Sequence, residues 1–319
     1  MTVDPRNVAV IGSGVIGSSW SVNFAIKGYT VFLYDISTDS LETSKEYIRT
    51  NLDHLIEHGA IQETDAQNAR RRIHLTDSLE EAVSNAFFIQ ENIPDKLPIK
   101  RETLARIEAL CPTDAIYASS TSHHLITDIA AEAVHPERCI GGHPFNPPHL
   151  IPLVEVSRGE ATEDKYLEKA VAFYRSCGKE PAVLRKESIG FIANRLSMAL
   201  FREAVDMVRR GVCTVADVDA AVTYGPGMRW AAIGPHMCYQ LGGSGGFKGL
   251  LTALGPGGDA LLNDLADWKS MPKDYLDEGQ TGVLEEMEGL PDVIGHTEEE
   301  IAAFRDKVLI ELMKAHEKI

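Results

Sequence analysis

The stretch GGHPFNPPHLIPLVEV (Gly141–Val156) sets one histidine, His143, at the end of a short apolar run and one carboxylate, Glu155, inside the next. Histidine titrates near working pH, with an unperturbed pKa of ~6.5, so it can take a proton from a hydroxyl and return it. A carboxylate on the far ring nitrogen fixes the tautomer and stabilises the imidazolium that forms. Glu155 alone in an apolar strand would be a costly buried charge, so a partner is expected for it. Pro144, Pro147 and Pro148 restrict the backbone between the two. A proline-bounded return of the chain would bring base and acid together. The chemistry this suits is oxidation of an alcohol, with the histidine taking the hydroxyl proton while hydride leaves the carbon.

A hydride acceptor is written near the start of the chain. VAVIGSGVIGSSW holds Gly12, Gly14 and Gly17 in a G-x-G-x-x-G arrangement directly after an apolar run and before a helical pattern. Gly12 permits the tight turn, Gly14 lets a pyrophosphate approach the backbone, and Gly17 allows close helix–strand packing. Val15 and Ile16 open the helix, whose free N–H groups and dipole favour phosphate. Asp35 ends the second apolar run, eighteen residues past Gly17. Its carboxylate can accept hydrogen bonds from an adenosine ribose 2′-hydroxyl and would repel a 2′-phosphate, so NAD is favoured over NADP. A flavin would also satisfy the glycine pattern.

These residues need a sheet to position them. Short β-branched runs at 8–11, 30–35, 87–92, 115–120, 139–142 and 153–156 alternate with helical patterns near 15–27, 38–58, 64–71, 97–110 and 165–177. The alternation predicts an α/β domain with a Rossmann-type, doubly wound parallel sheet over residues 1–187. His143 then follows a strand at the carboxyl edge, where such sheets hold their ligands. From 188 to 319 strand signals disappear, and a mostly α-helical domain is expected to share the substrate cleft and carry a dimer interface. Its helices are predicted near 189–211, 215–224, 229–240, 247–254, 258–268 and 297–317. The Gly- and Pro-punctuated, acidic stretch 269–292 reads as a loop.

Composition excludes several classes. A formal charge of −16 repels nucleic acid and anionic membrane surfaces. No apolar run approaches the ~20 residues that span a bilayer. The start, MTVDPRNVAV, lacks a basic segment leading into a long apolar one, so no secretory signal is expected. Cys111, Cys139, Cys177, Cys213 and Cys238 show neither a CxxC pair nor a regular spacing. They point to a reducing, cytoplasmic setting with no disulfide framework and no metal site. His123, His124, His149 and His236 have no ligand spacing and read as structural or solvent-facing.

HPFNPPHLIPLVEV, with ASSTS before it and GFIANRL after it, resembles the L-3-hydroxyacyl-CoA dehydrogenase family from about Asn7 to about Gly255. That family includes branches acting on free hydroxy acids such as L-gulonate and L-carnitine. The resemblance implies His143 as general base, Glu155 as its partner, and Ser122 and Asn194 as hydrogen-bond donors to the reacting oxygen. Through the segment ENIPDK it also implies Glu91 and Lys96 as cofactor contacts, with Asn146 a further one. The expected activity is NAD-dependent oxidation of an L-3-hydroxyl to the 3-keto product. A fold kept without turnover conflicts with the intact His, Glu, Ser and Asn set. The 6-phosphogluconate type of hydroxyacid dehydrogenase needs a lysine in the interdomain helix, and none occurs from 189 to 211.

Two features separate a free acid from a thioester. Acyl-CoA members of the family carry a lysine-rich helix after the second strand. Here SLETSKEYIRTNLDHLIEHG sets Lys45 and Arg49 against Glu42, Glu46, Asp53 and Glu57, although Arg70, Arg71 and Arg72 follow. YGPGMRWAAIGP (224–235) and LGGSGGFKGLL after it resemble the gulonate and carnitine branches. Arg229 is either a bidentate ligand for a substrate carboxylate or an ion-pair partner between domains or subunits, and Lys186 is a second carboxylate candidate. A free hydroxy acid is the expected substrate, with a short-chain acyl-CoA thioester as the alternative. Trp230 has no second placed aromatic to complete a cage for a quaternary ammonium.

Overall fold

A computed structural model describes residues 6–319. Contacts divide it into two compact units, one running to Arg195 and including Asp306–Ile319, the other Leu196–Arg305.

The first unit is an eight-stranded sheet. Its strands are β1 (Asn7–Ile11), β2 (Thr30–Tyr34), β3 (Ile73–Thr76), β4 (Phe88–Glu91), β5 (Ile116–Ser119), β6 (Cys139–Pro144), β7 (Leu153–Arg158) and β8 (Glu180–Leu184). Their spatial order is β3-β2-β1-β4-β5-β6-β7-β8. Every pairing is parallel except β6 with β7, which is antiparallel. The first six follow the doubly wound order 3-2-1-4-5-6. The helices over the sheet are α1 (Val15–Ile26), α2 (Thr38–Glu57), α3 (Glu63–Arg72), α4 (Leu79–Val83), α5 (Leu97–Glu108), α6 (Ile126–Ile129) and α7 (Asp164–Ser176).

Alternation along β1 explains the two cores. Val8 and Val10 point into one apolar cluster, with Trp20, Phe88 and Phe173, while Ala9 and Ile11 point into the other, with Ile89, Leu104 and Tyr117. Both faces of the central strands are covered, so these strands read as nearly unbroken apolar runs. Helix α1 lies deep, buried from Gly17 to Ala25. Its hydroxyls stay satisfied because Ser18 donates to the Ser13 carbonyl and Ser21 to the Gly17 carbonyl. Helix α2 is capped by the Ser37 hydroxyl and buries Leu41, Ile48, Leu52 and Leu55 along one stripe.

Helix α8 (Ala193–Arg209) begins at the end of the first unit and runs into the second. It is followed by α9 (Val215–Tyr224), α10 (Pro226–Ala232), α11 (Pro235–Gln240), α12 (Gly246–Asp264), α13 (Tyr275–Gly289) and α14 (Glu298–Ala315). Pro235 cannot continue a helix, so the run expected at 229–240 becomes two. The runs expected at 247–254 and 258–268 are joined across a kink at Gly255, where φ is 42° beside Pro256. Helix α13 occupies the stretch expected to be a loop. The last turns of α14 belong to the first unit rather than the second, because Ile310 is fully buried in the core that contains Trp20 and Phe24. Among the described residues no helix is long and apolar enough to cross a membrane.

Candidate active site

The antiparallel pair builds the dyad. β6 and β7 run in a register that sets His143 directly opposite Glu155, with the proline-rich return between them. Both side chains are almost wholly buried. His143 Nδ1 lies 2.8 Å from Glu155 Oε2. Burial pushes the Glu155 carboxyl up. The hydrogen bond from His143 and the Ala193 and Ile192 N–H groups outweigh this, and its pKa is lowered on balance. An ionised Glu155 accepts the Nδ1–H and leaves the Nε2 lone pair facing Ser122, whose Oγ is 3.2 Å away. Glu155 Oε1 also accepts from the Ile192 and Ala193 N–H groups at 2.7 and 2.9 Å. One carboxylate thus orients the imidazole and fixes the start of α8, where Asn194 lies.

His143 opens into a cavity of about 360 Å³ lined by Ile16, Asn92, Ile93, Asp95, Lys100, Ser120, Ser122, Pro144, Phe145, Asn146 and Asn194. That volume is in the range of small-ligand sites. Ser122, Asn194 and Asn146 are therefore brought to the histidine, along with Ile16 of the glycine-rich turn.

The turn itself fits a dinucleotide. Gly12 has φ 95°, and a Cβ there would meet the Asn92 carbonyl oxygen at 2.8 Å. A Cβ on Gly17 would lie 1.8 Å from the Gly12 carbonyl oxygen, whereas Gly14 faces open space at the start of α1. Val15 is half exposed on the first turn. Asp35 Oδ2 accepts from the Ser13 N–H and hydroxyl at 2.8 and 2.9 Å, and Oδ1 from the Ser37 N–H at 3.0 Å. The carboxylate expected at the ribose is thus already braced against the turn.

Two of the expected cofactor contacts do not line the cavity. Glu91 does not line the cavity. It is fully buried, and its oxygens accept from the Lys100 ammonium, the Tyr117 and Ser119 hydroxyls and the Ile93 N–H. Lys96 is exposed at the N-cap of α5 and does not reach the cavity lining. Lys186 is exposed just after β8, and Arg229 is exposed on α10 in the second unit. His149 is held by Ser19, with Nδ1 2.8 Å from the hydroxyl, and His236 stacks on Phe247. Among the described residues no group of three or more metal-binding side chains occurs.

Two charged residues on the cavity wall, Asp95 and Lys100, are absent from the sequence reading. Asp95 accepts from the Thr121 hydroxyl at 2.7 Å and the Ser122 N–H at 3.1 Å, and lies 3.2 Å from His123 Nδ1. Partial burial raises its pKa, but these bonds and the Lys100 charge 3.5 Å away bring it down to about 2. Lys100 itself is 1% exposed and paired to Glu91 at 2.8 Å. Asp95 could have been found in ENIPDK as an acid beside the assigned lysine, but its partners on the β5 side have no signal in sequence.

A dinucleotide turn and a histidine–carboxylate pair around one cavity define the class, the NAD-dependent oxidoreductases acting on CH–OH groups. Comparison with known proteins is consistent with that class and narrower. The 3-hydroxyacyl-CoA dehydrogenase NAD binding domain matches residues 7–188, and the C-terminal domain of the same enzymes matches 190–273. The chain belongs to the 3-hydroxyacyl-CoA dehydrogenase family. It is 40% identical to an L-carnitine dehydrogenase of Streptomyces griseus over 98% of this chain and 90% of that protein. A solved 5-formyl-3-hydroxy-2-methylpyridine 4-carboxylic acid 5-dehydrogenase, described as an NAD+ dependent dismutase, superposes with a TM-score of 0.83. It is 30% identical, with 98% of this chain and 99% of that one covered. The 3-hydroxybutyryl-CoA dehydrogenase of Escherichia coli K12 superposes with a TM-score of 0.69 at 28% identity, covering 87% of this chain and 57% of that one.

Proposed function

We propose that the chain oxidises the 3-hydroxyl of a free L-3-hydroxy acid, L-carnitine or a close analogue, to the 3-keto acid with NAD, and that His143 is the general base. The observation that carries this is the buried 2.8 Å bond from His143 to Glu155, which leaves Nε2 directed at the cavity. Gly12, Gly14, Gly17, Val15, Ile16, Asp35 and Asn146 would hold the dinucleotide, which when bound would supply the hydride acceptor. His143 Nε2 takes the hydroxyl proton as the C–H bond breaks, and the Glu155 carboxylate stabilises the resulting imidazolium through Nδ1–H. The Ser122 hydroxyl and Asn194 amide hold the oxygen as its charge changes. In the reductive direction His143 returns the proton.

Asp95 on the cavity wall has its pKa lowered to about 2 and stays ionised, and this negative charge suits a substrate with a cationic head. Three of the arginines that could have met CoA already have partners. Arg49 pairs with Glu46 and Asp53, Arg70 with Asp53 and Glu63, and Arg72 donates to the Ala25 carbonyl. Relatives named L-carnitine dehydrogenase over nearly the whole chain point the same way. Lys186 and Arg229 carry no ion pair among the described residues, and either suits the substrate carboxylate.

The proposal extends to a homodimer, supported by the second unit, where α9, α10 and α12 bury none of their described residues and Leu251, Leu254, Leu261 and Leu262 are exposed. Five free cysteines suit a reducing cytoplasm. The test is NADH formation on L-carnitine, L-gulonate, 3-hydroxybutyrate and S-3-hydroxybutyryl-CoA, with light scattering for the dimer. Turnover confined to the thioester would refute the free-acid reading, and a monomer at assay concentration the dimer.

A further inference from the structure

The hydrogen bond to Glu155 fixes one point of the His143 ring, but a ring held at one atom can still swing about that contact. Ser122 holds the other nitrogen only until a substrate hydroxyl takes its place. Something else must set the plane of the imidazole during turnover.

Phe191 meets that requirement. Its ring stacks on the imidazole with centroids 4.8 Å apart and planes 17° from parallel. It is 4% exposed, so one face of the base is closed to water. Its backbone has φ 51°, a left-handed conformation that a bulky side chain rarely adopts and that persists only where the surroundings impose it. The surroundings are on either side. Gly190 precedes it at φ 76°, its own N–H donates to the Ser188 carbonyl at 3.0 Å, and the next two N–H groups go to Glu155. Space for the ring comes from β6, where a Cβ on Gly141 would approach Phe191 Cε1 to 3.3 Å. One short segment therefore grips both members of the dyad, Glu155 through backbone and His143 through a ring, immediately before Asn194.

We propose that Phe191 is a positioning residue. Its stacked ring fixes the plane of His143, so that Nε2 stays aimed at the substrate hydroxyl when Ser122 releases it. The left-handed backbone is what brings the ring over the imidazole while the following N–H groups remain on Glu155. The inference rests on His143 being the base.

The test compares Phe191→Leu and Phe191→Met, which keep apolar bulk without a flat face, with Phe191→Tyr, which keeps the face. Methionine adapts to irregular space, so it serves if the leucine variant does not fold. Both aliphatic variants should lose roughly tenfold to a hundredfold in kcat, the scale of a misaligned reacting group, with the KM for NAD unchanged and the acid limb of the pH profile displaced. Phe191→Tyr should restore most of the rate. Imidazole ¹⁵N shifts, assigned by the signal lost in His143→Ala, should move in the aliphatic variants as the ring swings and its Nδ1–H bond to Glu155 loosens. Aliphatic variants with kcat within about twofold of wild type and unchanged ¹⁵N shifts would overturn the proposal, and so would a tyrosine variant as slow as the leucine one. If His143→Ala turned over normally, the base assignment itself would fall, while the ¹⁵N shifts would still report whether Phe191 orients the ring.

Discussion

Glu155→Gln is the sharpest perturbation of the dyad because it changes almost no volume. The native carboxylate accepts on both sides, from His143 Nδ1–H at 2.8 Å and from the Ile192 and Ala193 N–H groups at 2.7 and 2.9 Å. An amide has one acceptor side and one donor side. If its oxygen faces the two backbone donors, its NH₂ faces His143 and Nδ1 must become the acceptor. The proton then sits on Nε2, and the base has no lone pair for the substrate. If the amide turns over, its NH₂ opposes two N–H groups, and buried donors lose their partners at about 1–3 kcal/mol each. The first arrangement is the cheaper, so the wrong tautomer should dominate. Loss of general-base action removes ~10²–10⁴ in rate, which is about 2.7–5.4 kcal/mol of barrier at ~1.36 kcal/mol per decade. The assay is steady-state NADH formation on the best free acid, with NADH binding followed by fluorescence to show the cofactor site intact. A Glu155→Gln enzyme within tenfold of wild type would refute the tautomer argument.

Asp35→Ala should weaken NAD and narrow its preference over NADP, since the 2′-phosphate is no longer repelled; an unchanged ratio of the two KM values would place cofactor choice elsewhere. Asp95 has its pKa depressed from 3.8 to about 2, so its stabilising effect is present above 3.8 and is lost as pH falls through about 2. The Tm gap between wild type and Asp95→Asn should therefore be full at pH 6 and close toward pH 2, and a gap independent of pH would contradict this. Lys179 is fully buried, donates to the Pro148 and Ile151 carbonyls, and has its pKa lowered by burial to about 7. Between that value and 10.5 the unfolded chain binds the extra proton, so stability rises with pH there. Lys179→Met should flatten that part of the Tm curve, and a slope equal to wild type would assign the rise to other groups.

How much was legible in the sequence depended on whether the partners were close in the chain. His143 and Glu155 are joined by one return, and the prolines between them announce it. Gly12 to Asp35 form one βαβ unit with a local fingerprint. The strands missed were β3 and β8, both at sheet edges and both diluted by polar residues or proline: IHLT follows three arginines, and EPAVL begins with Glu and Pro. Helix α13 reads as a loop in sequence because YLDEGQTGVLEEMEG has three glycines and many acids, so local propensity is a poor guide there. Glu91 is named through the resemblance of ENIPDK alone, and its surroundings are not legible in sequence, since only the fold brings Lys100, Tyr117 and Ser119 around it. Phe191 gave no sign at all, because a left-handed aromatic is a product of its surroundings.

The antiparallel return between β6 and β7 also governs which insertions and deletions this lineage can survive. Side chains alternate faces along a strand, so one residue added between Val154 and Glu155 would turn Glu155 to the opposite side of the sheet and leave His143 without its acid. The fold could persist while turnover disappeared. The segment from Phe145 to Pro152 is held as well, because Asn146 lines the cavity, Leu150 packs in the core and the Pro148 and Ile151 carbonyls accept from buried Lys179. Spacing between base and acid is thus constrained twice, by the pairing of their strands and by the return that joins them.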